Sequence, residues 1–180
     1  TDIQDSSATQ FVVAGLGAAR GLYMHPSFAD AHRLALVDKV LARSRAVYEA
    51  NGALGQPCAA GGPLGSGTER GHAYNVGVTC DSGSEWAKNT LQQTSSGLWI
   101  QLLGGSTLND APVQNYLEWL YNRYAFTSIA GQPWSNTSYG YYLWSSAKAY
   151  FFIERAGAAP APSNLSSDSL GVLTSGDTHP

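Results

Sequence analysis

The chain has 180 residues, enough for one domain with a sizeable core. Only 13% are charged and the net charge is −3, which offers nothing to recruit nucleic acid or an anionic membrane. No apolar run approaches the roughly 20 residues that span a bilayer, and Thr1 begins a polar segment without signal-peptide character.

Five helices are predicted in chain order. The first runs from about Ser7 to Tyr23, with Asp5 or Ser6 as N-cap. It carries one charge, Arg20, and so reads as apolar on all sides. The second runs from about Phe28 to Asn51 and is amphipathic. Leu34, Val37, Leu41 and Val47 alternate with Arg33, Asp38, Lys39, Arg43 and Arg45, and Gly52 is the expected stop.

Residues 52–88 form a Gly- and Pro-rich insertion. A third helix spans about Leu91 to Leu103, halted by Gly104 and Gly105. Asn109 or Asp110 caps a fourth, with Pro112 in its first turn. Its buried stripe is Tyr116, Leu117, Leu120 and Tyr124, with Glu118, Asn122 and Arg123 outside. The fifth, Tyr139 to Arg155, follows "SNTS" and closes at Gly157; residues 158–180 read as a Pro/Ser/Gly-rich tail or linker.

Cys58 and Cys80 both lie in loop-like settings inside the insertion, with 21 residues between them. A disulfide between them would contribute about 3 kcal/mol on the chain-entropy view and implies an extracellular or periplasmic location. His72 and Asp81 are near in sequence, but no zinc spacing appears, so no metal and no cofactor is expected.

Helices 1, 3 and 5 are apolar or aromatic nearly all round, and helices 2 and 4 are amphipathic. Such alternation suggests an inner layer of enclosed helices inside an outer layer. The inner helices also share a start: "DSSATQFVVAGLGAAR", "TSSGLWIQLLGG" and "NTSYGYYLWSSAKAYFFIERAG". With Thr9, Ser95 and Ser138 aligned, Phe11, Gly97 and Gly140 coincide, as do Ala14, Ile100 and Leu143. Together with "YLEWLYNRY" and "GQPW", this pattern resembles the repeat of the terpenoid cyclase and protein prenyltransferase α/α-toroid superfamily.

The resemblance implies an all-α, toroid-like arc over residues 1–157, with the insertion at 52–88. It covers about two and a half hairpins, fewer than a closed ring takes. The remainder would come from further helices of the same polypeptide or from identical subunits. The superfamily's chemistry is not carried over. No Asp-x-Asp-Asp acid, no convincing Asp, Cys and His zinc set and no Gly-Cys-Gly-Glu-Gln thioester is present.

Candidate ligand residues are aromatics on the inner helices, Trp99, Tyr141 and Trp144, with Gln10, Gln93 and Tyr139 near the helix starts at one mouth of the arc. Ring faces there would suit a hydrophobic or carbohydrate ligand; the same stripe also reads as ordinary core. "GGPLGSGTERG" lacks the Gly-Lys-Ser/Thr of a phosphate loop. His72 with Asp81 and Ser82 or Ser84 makes no ordered triad, and Glu118 and Glu154 read as solvated acids, so no catalytic residue is assigned. Asn136 and Asn164 sit in glycosylation sequons.

The expected function is an exported, non-catalytic binding or structural helical domain, part of a larger chain or assembly. The alternatives are a cyclase-like, prenyltransferase-like or polysaccharide-degrading enzyme with catalytic residues outside this chain, and a subunit of a secreted filament.

Overall fold

A computed structural model describes residues 4–54, 68–76, 89–123, 139–156, 161 and 164–165. The chain is all-α. Its helices are α1 (Ser6–Met24), α2 (Ala31–Leu54), α3 (Leu91–Leu103), α4 (Ala111–Tyr121) and α5 (Tyr139–Arg155). The extended structure among the described residues is slight. Strand β1 (Gln4–Asp5) pairs antiparallel with β2 (Asn75–Val76), Gln4 opposite Val76, and Ala73 bridges Asn89.

Local chemistry sets the helix ends. The Asp5 carboxylate accepts the N–H groups of Ser7 and Ala8 at 2.7 and 3.1 Å and so caps α1. Thr90 caps α3 by accepting from Gln93 N–H at 3.1 Å. Gly105, at φ 100°, turns the chain out of α3 in the left-handed region that glycine tolerates. Pro112 occupies the first turn of α4, whose N-cap is Asp110. The Asp110 side chain makes no cap bond; it accepts from Thr107 N and Oγ1 at 3.0 and 2.8 Å.

The second helix departs from expectation at both ends. Phe28 belongs to a separate 3₁₀ turn, Pro26–Phe28, and is exposed. Gly52 does not stop the helix, which continues to Leu54.

The centre of the molecule is α3. Every residue from Leu91 to Gln101 is buried, and α3 packs against each of the other four helices. Leu98, Trp99 and Ile100 meet Leu41, Tyr116, Leu117, Trp119 and Tyr142 in the shared core. Gly97 allows the close approach of α4, because a Cβ there would stand 3.0 Å from Tyr116 Cζ. Tyr116 donates to Tyr48 O at 2.6 Å, and Tyr48 donates to Ser6 O at 2.8 Å, tying α4 to α2 and α2 to α1.

Six of the eleven buried α3 residues are polar, and small hydroxyls carry the seam with α5. Ser96 Oγ lies 2.7 Å from Ser145 Oγ and also meets Gln10 Oε1 on α1. Ser145 donates to Gln92 O at 2.9 Å, which gives these buried groups partners and fixes how α1, α3 and α5 meet.

The expected enclosure of α1 and α5 is overturned. Phe11 and Val12 are 59% and 63% exposed, Leu22 is exposed, and only Ser6, Gln10 and Val13 of α1 are buried. On α5, Leu143 and Phe151 are exposed. Only α3 is wrapped on every side. The outer face of α1 mixes small residues (Ala8, Gly15 and Ala18) with the bare apolar side chains of Phe11, Val12 and Leu22, and it carries almost no charge. That lack of charge reads in sequence as enclosure.

Arg123 is likewise not on an outer face. Its side chain is 5% exposed and pairs with the Glu69 carboxylate, 1% exposed, at 2.7 Å. Cys58 and Cys80, Tyr124, Asn136 and Gly157 lie outside the described residues, as does most of the 52–88 insertion and of the tail.

Candidate functional site

The N-terminal turns of α1 and α5 leave an aromatic cleft between them. Ser7 and Phe11 come from α1, Tyr141 and Trp144 from α5, and Tyr74 from the loop leading into β2. Together they line an opening of about 520 Å³. The Phe11 and Trp144 rings are 5.1 Å apart and tilted by 35°, and Tyr141 lies 6.2 Å from Trp144 at 34°. These are favourable ring spacings. Lys148 Nζ sits 4.4 Å from the Trp144 ring centroid.

The hydroxyls at the rim are held from below. Tyr74 donates to Asp5 Oδ2 at 2.9 Å and lies 2.8 Å from Ser7 Oγ, which donates to Asp5 Oδ1 at 2.6 Å. Burial pushes the Asp5 carboxyl up, but the bonds from Ser7, Tyr74 and Ala8 outweigh it and hold the group below its ordinary value. Tyr141 accepts from Gln93 Nε2 at 3.1 Å, and burial pushes its phenol up to about 12. None of the five lining side chains is a carboxylic acid or a base; the Asp5 carboxylate lies behind Ser7 and Tyr74, and Lys148 sits over Trp144.

The sequence candidates divide. Tyr141 and Trp144 line the cleft, and Gln93 sits directly behind Tyr141. Gln10, the residue just before the outward-facing Phe11, is buried, and its Oε1 accepts from Ser96 rather than facing the opening. Trp99 is fully buried against Phe152, at a 6.3 Å ring spacing. Tyr139 is partly buried, 6.2 Å from Tyr142. Sequence reasoning missed Phe11, Ser7 and Tyr74. The available signal was a large aromatic immediately after the capping run of a helix otherwise rich in Ala and Gly.

Other chemistry-bearing residues are engaged in the structure. His72 is fully buried, stacked 4.4 Å from Tyr48, and its Nδ1–H donates to Ala73 O at 2.8 Å. Burial drives its pKa down to about 3 against a small opposing effect of that bond. Asp81, Ser82 and Ser84 lie outside the described residues. Glu118 accepts from Thr68 at 2.8 Å, and Glu154 is exposed. Among the described residues no cluster of three His, Cys, Asp or Glu side chains is placed to hold a metal ion. No helix among them is long and apolar enough to cross a membrane. At the Asn164 sequon, Nδ2 (the atom a glycan would take) donates to Asn109 Oδ1 at 2.9 Å.

No family model, curated protein or solved structure matches the chain.

Proposed function

We propose that the chain is an exported, non-catalytic binding domain whose aromatic cleft takes a small apolar ligand with a flat ring. The observation that carries this reading is Phe11: a large apolar side chain left 59% exposed, beside Trp144 in a preformed opening. An apolar ring suits the cleft better than a sugar. Sugar hydroxyls need several partners, and the rim hydroxyls of Ser7 and Tyr74 already serve Asp5.

The non-catalytic reading is supported by the structural roles of four titratable groups. Asp5 caps a helix, Asp38 pairs with Arg20, Glu69 pairs with Arg123, and His72 is buried in the core. The test is a titration with 5-fluoroindole followed by ¹⁹F NMR. Saturable binding is expected, with Trp144→Ala weakening it about tenfold, the scale of one lost ring–ring contact and its area. Phe151→Ala, outside the cleft, should leave it unchanged. Absence of saturable binding, or equal binding by Trp144→Ala, refutes the proposal.

Export rests on the two cysteines in the insertion and the low charge of the chain. Denatured, unreduced protein should therefore show no free thiol in an Ellman titration. Two free thiols would remove the support for export.

A second reading is favoured by the uncharged outer face of α1, where Phe11, Val12 and Leu22 are all exposed. In that reading the chain is one arc of a toroid-like assembly, and further helices of the same polypeptide or of identical subunits cover this face. The cyclase-like and polysaccharide-degrading alternatives would need catalytic groups from those same helices. Sedimentation of the purified chain as a 19.0 kDa monomer at micromolar concentration would count against completion by identical subunits.

A further inference from the structure

A second opening, sharing no lining residue with the aromatic cleft, lies along α4. It measures about 560 Å³ and is lined by Thr68, Asn115, Glu118 and Tyr121, among others, with Asn164 and Leu165 at one end. Those last two residues belong to the stretch whose composition reads as linker. Here they are held by a specific set of bonds.

Gln114, in the first turns of α4, pairs its side-chain amide with one backbone residue. Leu165 N–H donates to Gln114 Oε1 at 2.8 Å, and Gln114 Nε2 donates to Leu165 O at 3.0 Å. The same Nε2 donates to Leu108 O at 2.7 Å, which fixes the orientation of the amide. A side chain that reads both the N–H and the C=O of one residue does what a neighbouring strand does in peptide recognition. Asn109 supplies the second anchor, its Oδ1 accepting from Ala161 N–H at 2.8 Å and from Asn164 Nδ2 at 2.9 Å. The Leu165 side chain packs against the core cluster.

We propose that this face of α4 is a peptide-recognition groove for an uncharged segment carrying an Asn-Leu pair, and that the chain's own Ala161, Asn164 and Leu165 hold it in cis. Gln114 reads the backbone at the Leu position, Asn109 reads the Asn side chain, and the core receives the Leu. The room left beyond Leu165, towards Glu118 and Tyr121, accommodates the flank of a longer peptide. A charged side chain at the Leu position would be excluded, because it would enter apolar packing without a partner.

The test uses the full chain and a fluorescently labelled nonapeptide of residues 159–167, APAPSNLSS. The double variant N164A/L165A weakens the cis occupant and should bind the peptide saturably by anisotropy. The unaltered chain should bind at least tenfold more weakly, since a tethered competitor acts at an effective concentration in the millimolar range. Adding Q114A to the double variant should abolish binding. Equal binding by the unaltered chain, binding that survives Q114A, or no binding by a double variant of unchanged helicity each overturn the proposal. Hydrogen exchange on the otherwise unaltered chain gives an independent readout. The Leu165 amide should be protected, and Q114A should remove that protection while α3 amides keep theirs; an unprotected Leu165 amide contradicts the groove outright.

Discussion

Acidification from pH 6.5 towards pH 3 is expected to cost the protein on the order of a few kcal/mol of stability at one buried site. The cause is His72. In the unfolded chain it titrates near the ordinary imidazole value of 6.5, but in the folded protein burial holds its pKa at about 3. Between those two values the unfolded state binds a proton that the folded state refuses, so acid favours unfolding. Above 6.5 neither state is protonated at this site and the penalty vanishes. Asp5 adds a loss of the usual carboxylate sign, but only below the ordinary aspartate value of 3.8, because its folded pKa is lowered.

Urea unfolding at pH 7, 6, 5 and 4 would measure the slope. His72→Gln should be less stable at pH 7, since it loses the stack on Tyr48, yet should show a flatter dependence between pH 6.5 and 4. A variant that keeps the full slope would mean that another group drives the acid response. In the folded protein, the His72 imidazole resonances should not titrate above pH 4.

The second large effect is at the Glu69–Arg123 pair. Truncating either side chain to Ala is expected to cost about 3–5 kcal/mol, because the remaining charge stays buried without its partner. Both groups are almost fully enclosed. Asn122 Nδ2 donates to Glu69 Oε2 at 2.6 Å, and the Arg123 guanidinium lies 4.5 Å over the Trp119 ring. The pair fastens the 68–71 segment to the end of α4, alongside the bond from Arg70 N–H to Asn115 O at 3.0 Å. Replacing both residues, Glu69→Ala with Arg123→Met, should cost much less than the two single losses added together. Additive losses in a chemical-denaturation cycle would show that the pair does not act as a unit.

How far the sequence announced this structure differs by element. The third helix was legible at its end, because Gly104-Gly105 is a local signal acting within one turn; its start at Leu91 was read without the Thr90 cap that fixes it. The extents of α1 and α5 were legible for similar reasons. What covers a helix was not. An uncharged face such as that of α1 reads alike in sequence whether it is enclosed or bare, and periodicity cannot separate the two.

Arg123 was misread because its partner is 54 residues away in sequence, in a Gly-rich stretch with no periodic pattern. Of the cleft, Tyr141 and Trp144 could be read from the aromatic spacing of α5. Tyr74 arrives through the pairing of β1 with β2, a long-range event that no local motif encodes. The docking of Leu165 was hidden for the same reason: Gln114 and Asn109 are ordinary helix and turn residues until the tail is laid against them.

The functional account stands or falls on whether a flat ring enters between Phe11 and Trp144. The most direct observation is the indole N–H signal of Trp144 in ¹⁵N–¹H spectra during addition of indole. That signal and the Phe11 amide should shift along one saturating curve, while the indoles of the buried Trp99 and Trp119 stay in place. Stationary Trp144 and Phe11 signals, or shifts shared equally by all three tryptophans, would contradict it.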